Sequence, residues 1–323
     1  MSQKATAMEE SLELEELDVN LYRSKKLWKP VGARGVFGGQ VVGLALAAAA
    51  KTVPDHFHVH SLHSYFLLAG DNTIPITFRV YRVRDGKSYI TRGVSARQHG
   101  RVVFVLNCSF HVHEESTLVH QMDMPNVPPP ESIKSEEQRL HEWLKDPRAA
   151  KFHKTIQMRL ENPIPVDMRL IKSKLVGIND KEPRQMMWIR AKGRLPNNMA
   201  LHHCVAAYCS DYQLLNTSLI PHGLVGASER RALTMITSLD HAMWFHAPYR
   251  ADEWLLYVME SPRSISGRGY ATGRIYTADG RLVISTAQEG VIRYTETPPA
   301  GLPAPGKAQA AAADDGKQAA AKL

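Results

Sequence analysis

The sequence predicts an α+β protein built from two copies of one unit, each a mostly buried helix followed by a largely antiparallel sheet. Three observations carry this: an ordered internal repeat, two apolar stretches of helical composition, and runs of strand character after each. Repeats come first because a missed period misreads the whole chain. His60-Ser61-Leu62-His63-Ser64-Tyr65-Phe66 resembles Thr237-Ser238-Leu239-Asp240-His241-Ala242-Met243-Trp244-Phe245. Arg92-Gly93 followed by Gly100-Arg101-Val102-Val103-Phe104 resembles Arg268-Gly269 followed by Gly280-Arg281-Leu282-Val283-Ile284. Ser61 and Ser238 are 177 positions apart (238 − 61) and Gly100 and Gly280 are 180 apart (280 − 100), so both matches fall in almost one register.

The elements follow in order. Phe37 to Lys51 (FGGQVVGLALAAAAK) opens on glycines and continues Ala-rich and apolar nearly all round, the pattern of a helix buried on most sides. Its counterpart is Met199 to Leu215 (MALHHCVAAYCSDYQLL). Strand character follows the first helix at Ile76–Arg84, Ser88–Gln98 and Arg101–His113, and the second at Leu233–Phe245, Glu253–Met259, Gly269–Thr277 and Arg281–Tyr294. Asp85-Gly86, His99-Gly100 and Asp279-Gly280 supply the turns.

Between the copies, PNVPPPES and a charged stretch of helical character over Lys134–Asp146 read as a connection. The Pro/Ala-rich stretch from Pro298 has no aromatic residue and is expected to be disordered. The predicted division is a flexible N-terminus over 1–14, a first unit over 15–115, a linker over 116–150, a second unit over 151–296 and a disordered tail over 297–323.

Composition bounds the function classes. At 323 residues the chain suits two domains. With 44% hydrophobic and 22% charged residues it is globular in composition, and no apolar run approaches the ~18 residues of a membrane span. The acidic N-terminus lacks the apolar block of a secretory signal. Three cysteines (Cys108, Cys204, Cys209) without CxxC spacing indicate neither a disulfide framework nor a zinc site. A formal charge of +8 favours polyanionic partners, among them nucleic acid, anionic membrane and the phosphates of coenzyme A. No zinc-finger spacing, RGG tract or dense basic block with interleaved aromatics supports nucleic acid, and none is expected.

The motifs VFGGQVVGLAL (Val36–Leu46), VHSLHSYFL (Val59–Leu67), SLDHAMWFH (Ser238–His246), EWLLY (Glu253–Tyr257) and STAQEGVIR (Ser285–Arg293) occur in an order that resembles the type II acyl-CoA thioesterases. That family includes bacterial thioesterase II and the peroxisomal acyl-CoA thioesterases of eukaryotes. The resemblance covers roughly residues 15 to 295 and implies a double hotdog fold. It also implies hydrolysis of acyl-CoA to fatty acid and coenzyme A without metal or redox cofactor, coenzyme A being part of the substrate.

Thioester hydrolysis needs a positioned water, a group to take its proton, and donors for the developing oxyanion. A serine nucleophile would call for a GxSxG elbow, which is absent; RGVSAR at Arg92–Arg97 has Arg97 where the second Gly belongs. The resemblance implies a catalytic Asp on the second helix, a Thr or Ser before the DH motif and a Gln before EG, which here fall on Asp211, Ser238 and Gln288. Ser238 stands where the bacterial enzymes have Thr, and the Asp211–Ser238 stretch is a few residues longer than theirs. Spacing adds support. A helix over 199–215 puts Asp211 on one face with Cys204, Ala207 and Leu215, and strand alternation puts Gln288 beside Leu282, Ile284 and Thr286. The structural alternative makes Asp211 a helix-end residue and Gln288 a backbone partner.

Gly38 and Gly39, at a helix N-terminus, are candidate oxyanion donors, the alternative being that they only allow close helix packing. By the repeat offsets Ser61 stands opposite Ser238 and Cys108 opposite Gln288, which predicts a single active site, in the second copy. His56, His58 and His60 alternate on a strand but lack partners at metal-ligand spacing, so no metal is expected. Asp240-His241 is a rival acid/base pair, although adjacent strand residues point to opposite faces. The rival functions are a hotdog enoyl-CoA hydratase and a non-catalytic acyl-CoA binding module. The ending Ala321-Lys322-Leu323 resembles the peroxisomal SKL signal, so the expected partners are acyl-CoA and the peroxisomal import receptor. The expected compartment is the peroxisome, with the cytoplasm as alternative, and a homo-oligomer is left open.

Overall fold

The computed structural model describes residues 4–171, 182–224 and 231–296. The first copy contributes strands β1 (Leu14–Asp18), β2 (Leu21–Ser24), β3 (Phe57–Phe66), β4 (Thr77–Asp85), β5 (Tyr89–Gln98) and β6 (Arg101–Val112), with helix α2 (Gly38–Ala50) preceding β3. The second contributes β7 (Val166–Ile171), β8 (Arg184–Ala191), helix α5 (Met199–Ser210), then β9 (Arg231–Ser238), β10 (Asp240–Phe245), β11 (Leu255–Ile265), β12 (Arg268–Thr277) and β13 (Leu282–Glu296). All pairing is antiparallel, and one sheet runs β1-β2-β4-β5-β6-β3-β10-β13-β12-β11-β8-β7, with β9 beside β13.

The two halves meet at β3 and β10, and there the repeat becomes geometry. Ser64 pairs directly with His241, its own copy at 177 positions, and donates its hydroxyl to the His241 carbonyl at 2.8 Å. An antiparallel pair in which a residue faces its own counterpart marks a pseudo-twofold axis, so the 177-position register is a property of the fold. Each half wraps its sheet around one helix, and α2 and α5 pack against each other: a Cβ on Gly39 would lie 2.3 Å from the Tyr208 carbonyl, and one on Gly43 would lie 3.0 Å from that of Cys204. Glycine is what lets the two backbones approach this closely. Both helices are apolar nearly all round and are buried accordingly, with every residue from His202 to Ser210 buried. The expected turns hold: His99 (φ 49°) and Gly100 (φ 71°) close the β5–β6 hairpin as a left-handed pair, and Gly280 (φ 93°) turns β12 into β13.

Four expectations need correction. Residues 4–14 are not flexible: α1 (Ala7–Ser11) carries a Thr6/Glu9 capping box and plants Met8, fully buried, in the core. Helix α5 stops at Ser210 rather than Leu215, because Ser210 Oγ turns back onto the Ala207 carbonyl (2.9 Å) and Gln213 adopts φ 65°; Leu215 instead begins a 3-10 segment, Leu215–His222. The expected strand Leu233–Phe245 is broken at Leu239, whose N–H donates to the Glu289 carbonyl and whose own carbonyl accepts from Phe66 N–H. The helical connection outlasts residue 150: α3 (Glu136–Lys145) is followed by α4 (His153–Glu161), and the two close over Leu140, Ala149 and Ile156. The Pro-rich stretch is tied to the second half, with Trp188 Nε1–H donating to the Pro128 carbonyl at 2.9 Å. All of the predicted tail, including Ala321-Lys322-Leu323, lies outside the described residues.

Candidate active site

Asp211 sits immediately after the last turn of α5, an unfavourable place for a carboxylate because that end of the helix dipole is negative. Two donors offset this. The backbone N–H of Gly39, in the positive first turn of α2, donates to Asp211 Oδ2 at 2.8 Å, and Gln288 Nε2 donates to Oδ1 at 2.7 Å. The same Nε2 donates to Ser238 Oγ at 2.7 Å. A carboxylate only accepts, so the amide nitrogen of Gln288 must face Asp211. Asp211, Ser238 and Gln288, spread over 77 residues of sequence, therefore meet at one amide group. Gln288 is fully buried and Ser238 is partly exposed at the end of β9. With Ser238 Oγ accepting from Gln288, the hydroxyl proton is not used in that bond.

The two glycines separate in role. The Gly39 amide is committed to Asp211 in this structure, so the oxyanion role expected of it is not open to it. The Gly38 amide makes no hydrogen bond with the described residues, as expected for the first N–H of a helix. A Cβ on Gly38 would lie 2.8 Å from Asp211 Oδ2 and 3.0 Å from the Phe66 ring, so glycine keeps this approach open.

A buried network that the sequence reading missed supports Asp211 from beneath. Tyr257 OH donates to the Ser210 carbonyl at 2.8 Å and lies 2.9 Å from Thr286 Oγ1. Ser210 Oγ donates to the Ala207 carbonyl and so accepts from His241 Nε2–H at 2.8 Å. Burial pushes the His241 pKa down, with the nearby Asp211 charge opposing, so the imidazole is neutral at physiological pH. Period-two alternation offered a signal for one member, since Thr286 shares the face of Gln288.

The Asp240-His241 rival does not assemble: His241 is fully buried against Ser210, while Asp240 accepts the Glu289 N–H at 2.6 Å on the other side of the strand. His58 and His60 are not in regular alternation either, because a bulge interrupts β3 between Val59 and Ser61. Among the described residues no group of three His, Cys, Asp or Glu side chains is placed to hold a metal. The register also refines the comparison of copies. Extending the β10–β13 pairing by one puts Gln288 opposite His241, whose counterpart Ser64 pairs with Leu106. The position matching Gln288 is therefore Leu106 rather than Cys108, and an apolar buried residue stands there in either alignment.

A double hotdog with one such polar cluster defines a class, the hotdog thioester hydrolases, and the comparisons define the family. A family described as acyl-CoA thioesterase matches residues 153–291, and its N-terminal domain matches residues 25–111. The chain is 44% identical over 285 residues to acyl-coenzyme A thioesterase 8 of Homo sapiens, covering 87% of each chain. It is 27% identical over 334 residues to peroxisomal acyl-coenzyme A thioester hydrolase 1 of Saccharomyces cerevisiae, covering 89% of this chain and 94% of that one. The crystal structure of an acyl-CoA thioesterase II from Mycobacterium marinum is similar at a TM-score of 0.70 and 38% identity, over 92% of this chain and all of the other. The chain belongs to the type II acyl-CoA thioesterase family.

Proposed function

We propose that the chain hydrolyses acyl-CoA by direct attack of a water held at Asp211, Ser238 and Gln288. The observation that carries this reading is the single Gln288 amide bonded at 2.7 Å to both the Asp211 carboxylate and the Ser238 hydroxyl. Asp211, fixed by Gly39 and Gln288, accepts a proton from the water as its oxygen attacks the thioester carbonyl carbon. The Gly38 amide, aided by the positive end of α2, faces the oxyanion of the tetrahedral intermediate. Collapse breaks the C–S bond, and Asp211 returns its proton to the departing thiolate, leaving a carboxylic acid and coenzyme A. No metal or redox cofactor takes part. The Ser-for-Thr exchange at 238 keeps the hydroxyl and loses one methyl.

The two rival functions differ from hydrolysis in their products. A non-catalytic acyl-CoA binding module would bind acyl-CoA and release no thiol in a coloured-thiol assay. An enoyl-CoA hydratase would add water to a double bond and leave the thioester intact. A panel of acyl-CoAs of graded length tests all three. Asp211→Ala is expected to lower kcat by about 10²–10⁴-fold, the usual contribution of a general base, with the fold retained; near-normal turnover would refute the assignment.

The tripeptide Ala321-Lys322-Leu323, together with the peroxisomal yeast relative, supports delivery to the peroxisome by its import receptor. A fluorescent protein bearing the last twelve residues should become punctate, and a uniformly cytosolic signal would count against this. No helix among the described residues is long and apolar enough to cross a membrane.

A further inference from the structure

The α2–α5 pair has two ends, and only one holds the cluster described above. At the other, where α2 finishes and α5 begins, lies a cavity of about 350 Å3. That is within the ~300–1,000 Å3 range of small-molecule sites. Leu46, Ala50, Phe57 and Phe110 give it apolar walls, and Asp55, His58 and Asn197 also line it.

The helices relate this cavity to the catalytic end. Helix α2 starts at Gly38 and α5 at Met199, 161 positions later (199 − 38). The same shift carries Gly39 onto Ala200 and Asp211 onto Ala50 (211 − 161), and both Ala200 and Ala50 line the cavity. At the catalytic end the Gly39 amide is met by the chain's own carboxylate. At this end the matching residue is an alanine, and the N–H groups of Met199 and Ala200 make no hydrogen bond with the described residues. Asn198 caps only the amides beyond them, its Oδ1 accepting from Leu201 N–H and its carbonyl from His202 N–H.

A third donor is independent of the helix end. His203 lines the cavity and is 95% buried. Its Nδ1 lies 3.0 Å from Tyr249 OH, closer than the 3.5 Å from that hydroxyl to the His202 carbonyl. A ring whose Nδ1 accepts from this hydroxyl carries its proton on Nε2, and Nε2 makes no hydrogen bond with the described residues. Burial pushes the His203 pKa down to about 3, so the ring is a neutral donor.

We infer that this cavity is a second ligand site, which takes a carboxylic acid with an apolar chain. Its carboxylate meets the Met199 and Ala200 amides and His203 Nε2–H, in the place Asp211 fills at the catalytic end, and its chain lies along Leu46, Phe57 and Phe110. Under the proposed function the matching molecule is the reaction's own acid product, but the site does not depend on that reading.

Titration of the full chain with sodium octanoate tests it. Ala50→Asp supplies at the end of α2 the carboxylate that Asp211 supplies at the end of α5. Met199→Pro deletes an amide at the first helical position, where proline is tolerated and the preceding Asn198 is already extended (φ −129°, ψ 107°). Each variant should lose one equivalent of octanoate binding, or bind it at least tenfold more weakly, while thiol release from acyl-CoA stays unchanged. Neutral octanamide should not compete at this site. Octanoate binding that is unaltered in both variants overturns the proposal, as does octanamide competing equally well. A wild-type chain that bound octanoate here but released no thiol would sink the hydrolytic reading and leave this one standing.

Discussion

The two ends of the helix pair differ, although the fold is duplicated. At one end a glycine amide, a carboxylate, a glutamine and a serine converge within hydrogen-bonding distance. At the other, the shift between the helices places Ala200 for Gly39 and Ala50 for Asp211, and the sheet register places Leu106 for Gln288. Only the hydroxyl persists, as Ser61. The backbone supplies helix N-termini twice; side chains distinguish the end proposed for hydrolysis from the end that carries alanines in the matching places.

The comparison is broken most sharply by making the catalytic end resemble its mate. Gln288→Leu, which copies Leu106, leaves Asp211 and Ser238 without their shared donor. Thiol release should fall about 10²-fold, of the order seen on removing one preorganised donor, with unchanged thermal unfolding. Activity within threefold of wild type would mean that the amide does not organise the site.

Next is helix approach. Gly39→Ala puts a Cβ 2.3 Å from the Tyr208 carbonyl and 2.7 Å from the Phe37 ring, neither of which can yield cheaply. A loss of about 1–3 kcal/mol is expected from overpacking. The mirror change Ala200→Gly, on an exposed residue of the other helix, should cost at most about 1 kcal/mol. Chemical denaturation of both variants checks the asymmetry.

How much of this the sequence contained depends on distance along the chain. The two central helices, most strands of the sheet and all three turns were legible because apolar periodicity and Gly-containing dipeptides are local signals. The short strands β1 and β2 and the pair β7–β8 were not: the first two are only five and four residues long, and the last two are set within a mixed, Arg- and Met-containing stretch. The catalytic candidates were reached by resemblance, and the spacing argument for Asp211 was partly misplaced, since the helix ends before it. What no local pattern shows is the Gly39–Asp211 bond, which joins residues 172 positions apart where two helices cross. For the same reason Gly38 and Gly39 look equivalent in the sequence, although the Gly39 amide meets Asp211 and the Gly38 amide has no partner among the described residues.

The mate end should also set part of the pH dependence of stability. His203 is neutral in the native state, its pKa pushed down to about 3 by burial, whereas in the unfolded chain it titrates near 6.5. Between these values the unfolded state binds more protons, so stability rises with pH and is lost as pH falls below about 6.5. His203→Phe should flatten that slope between pH 4 and 6 by about 1.4 kcal/mol per pH unit, read from urea midpoints at each pH. The slope is the test rather than the intercept, because the substitution also removes the partner of Tyr249 OH. An unchanged slope would mean that another group carries the linkage.

The smallest expected effects are the most discriminating, because they fall on the one group both ends share. Ser238→Thr should leave thiol release within about threefold of wild type, since the added methyl points from a partly exposed residue and the hydroxyl still accepts from Gln288. Ser61→Ala removes the corresponding hydroxyl of the first copy and should change turnover by less than twofold and stability by no more than ~0.5 kcal/mol, the usual range for a site without a buried network. Both substitutions touch serines in matching positions, 177 residues apart, so their kinetics measured side by side isolate what the surroundings add. A deficit in Ser61→Ala as large as that in Ser238→Ala would mean that the first copy takes part in the chemistry, and that the division between a catalytic end and a binding end is drawn in the wrong place.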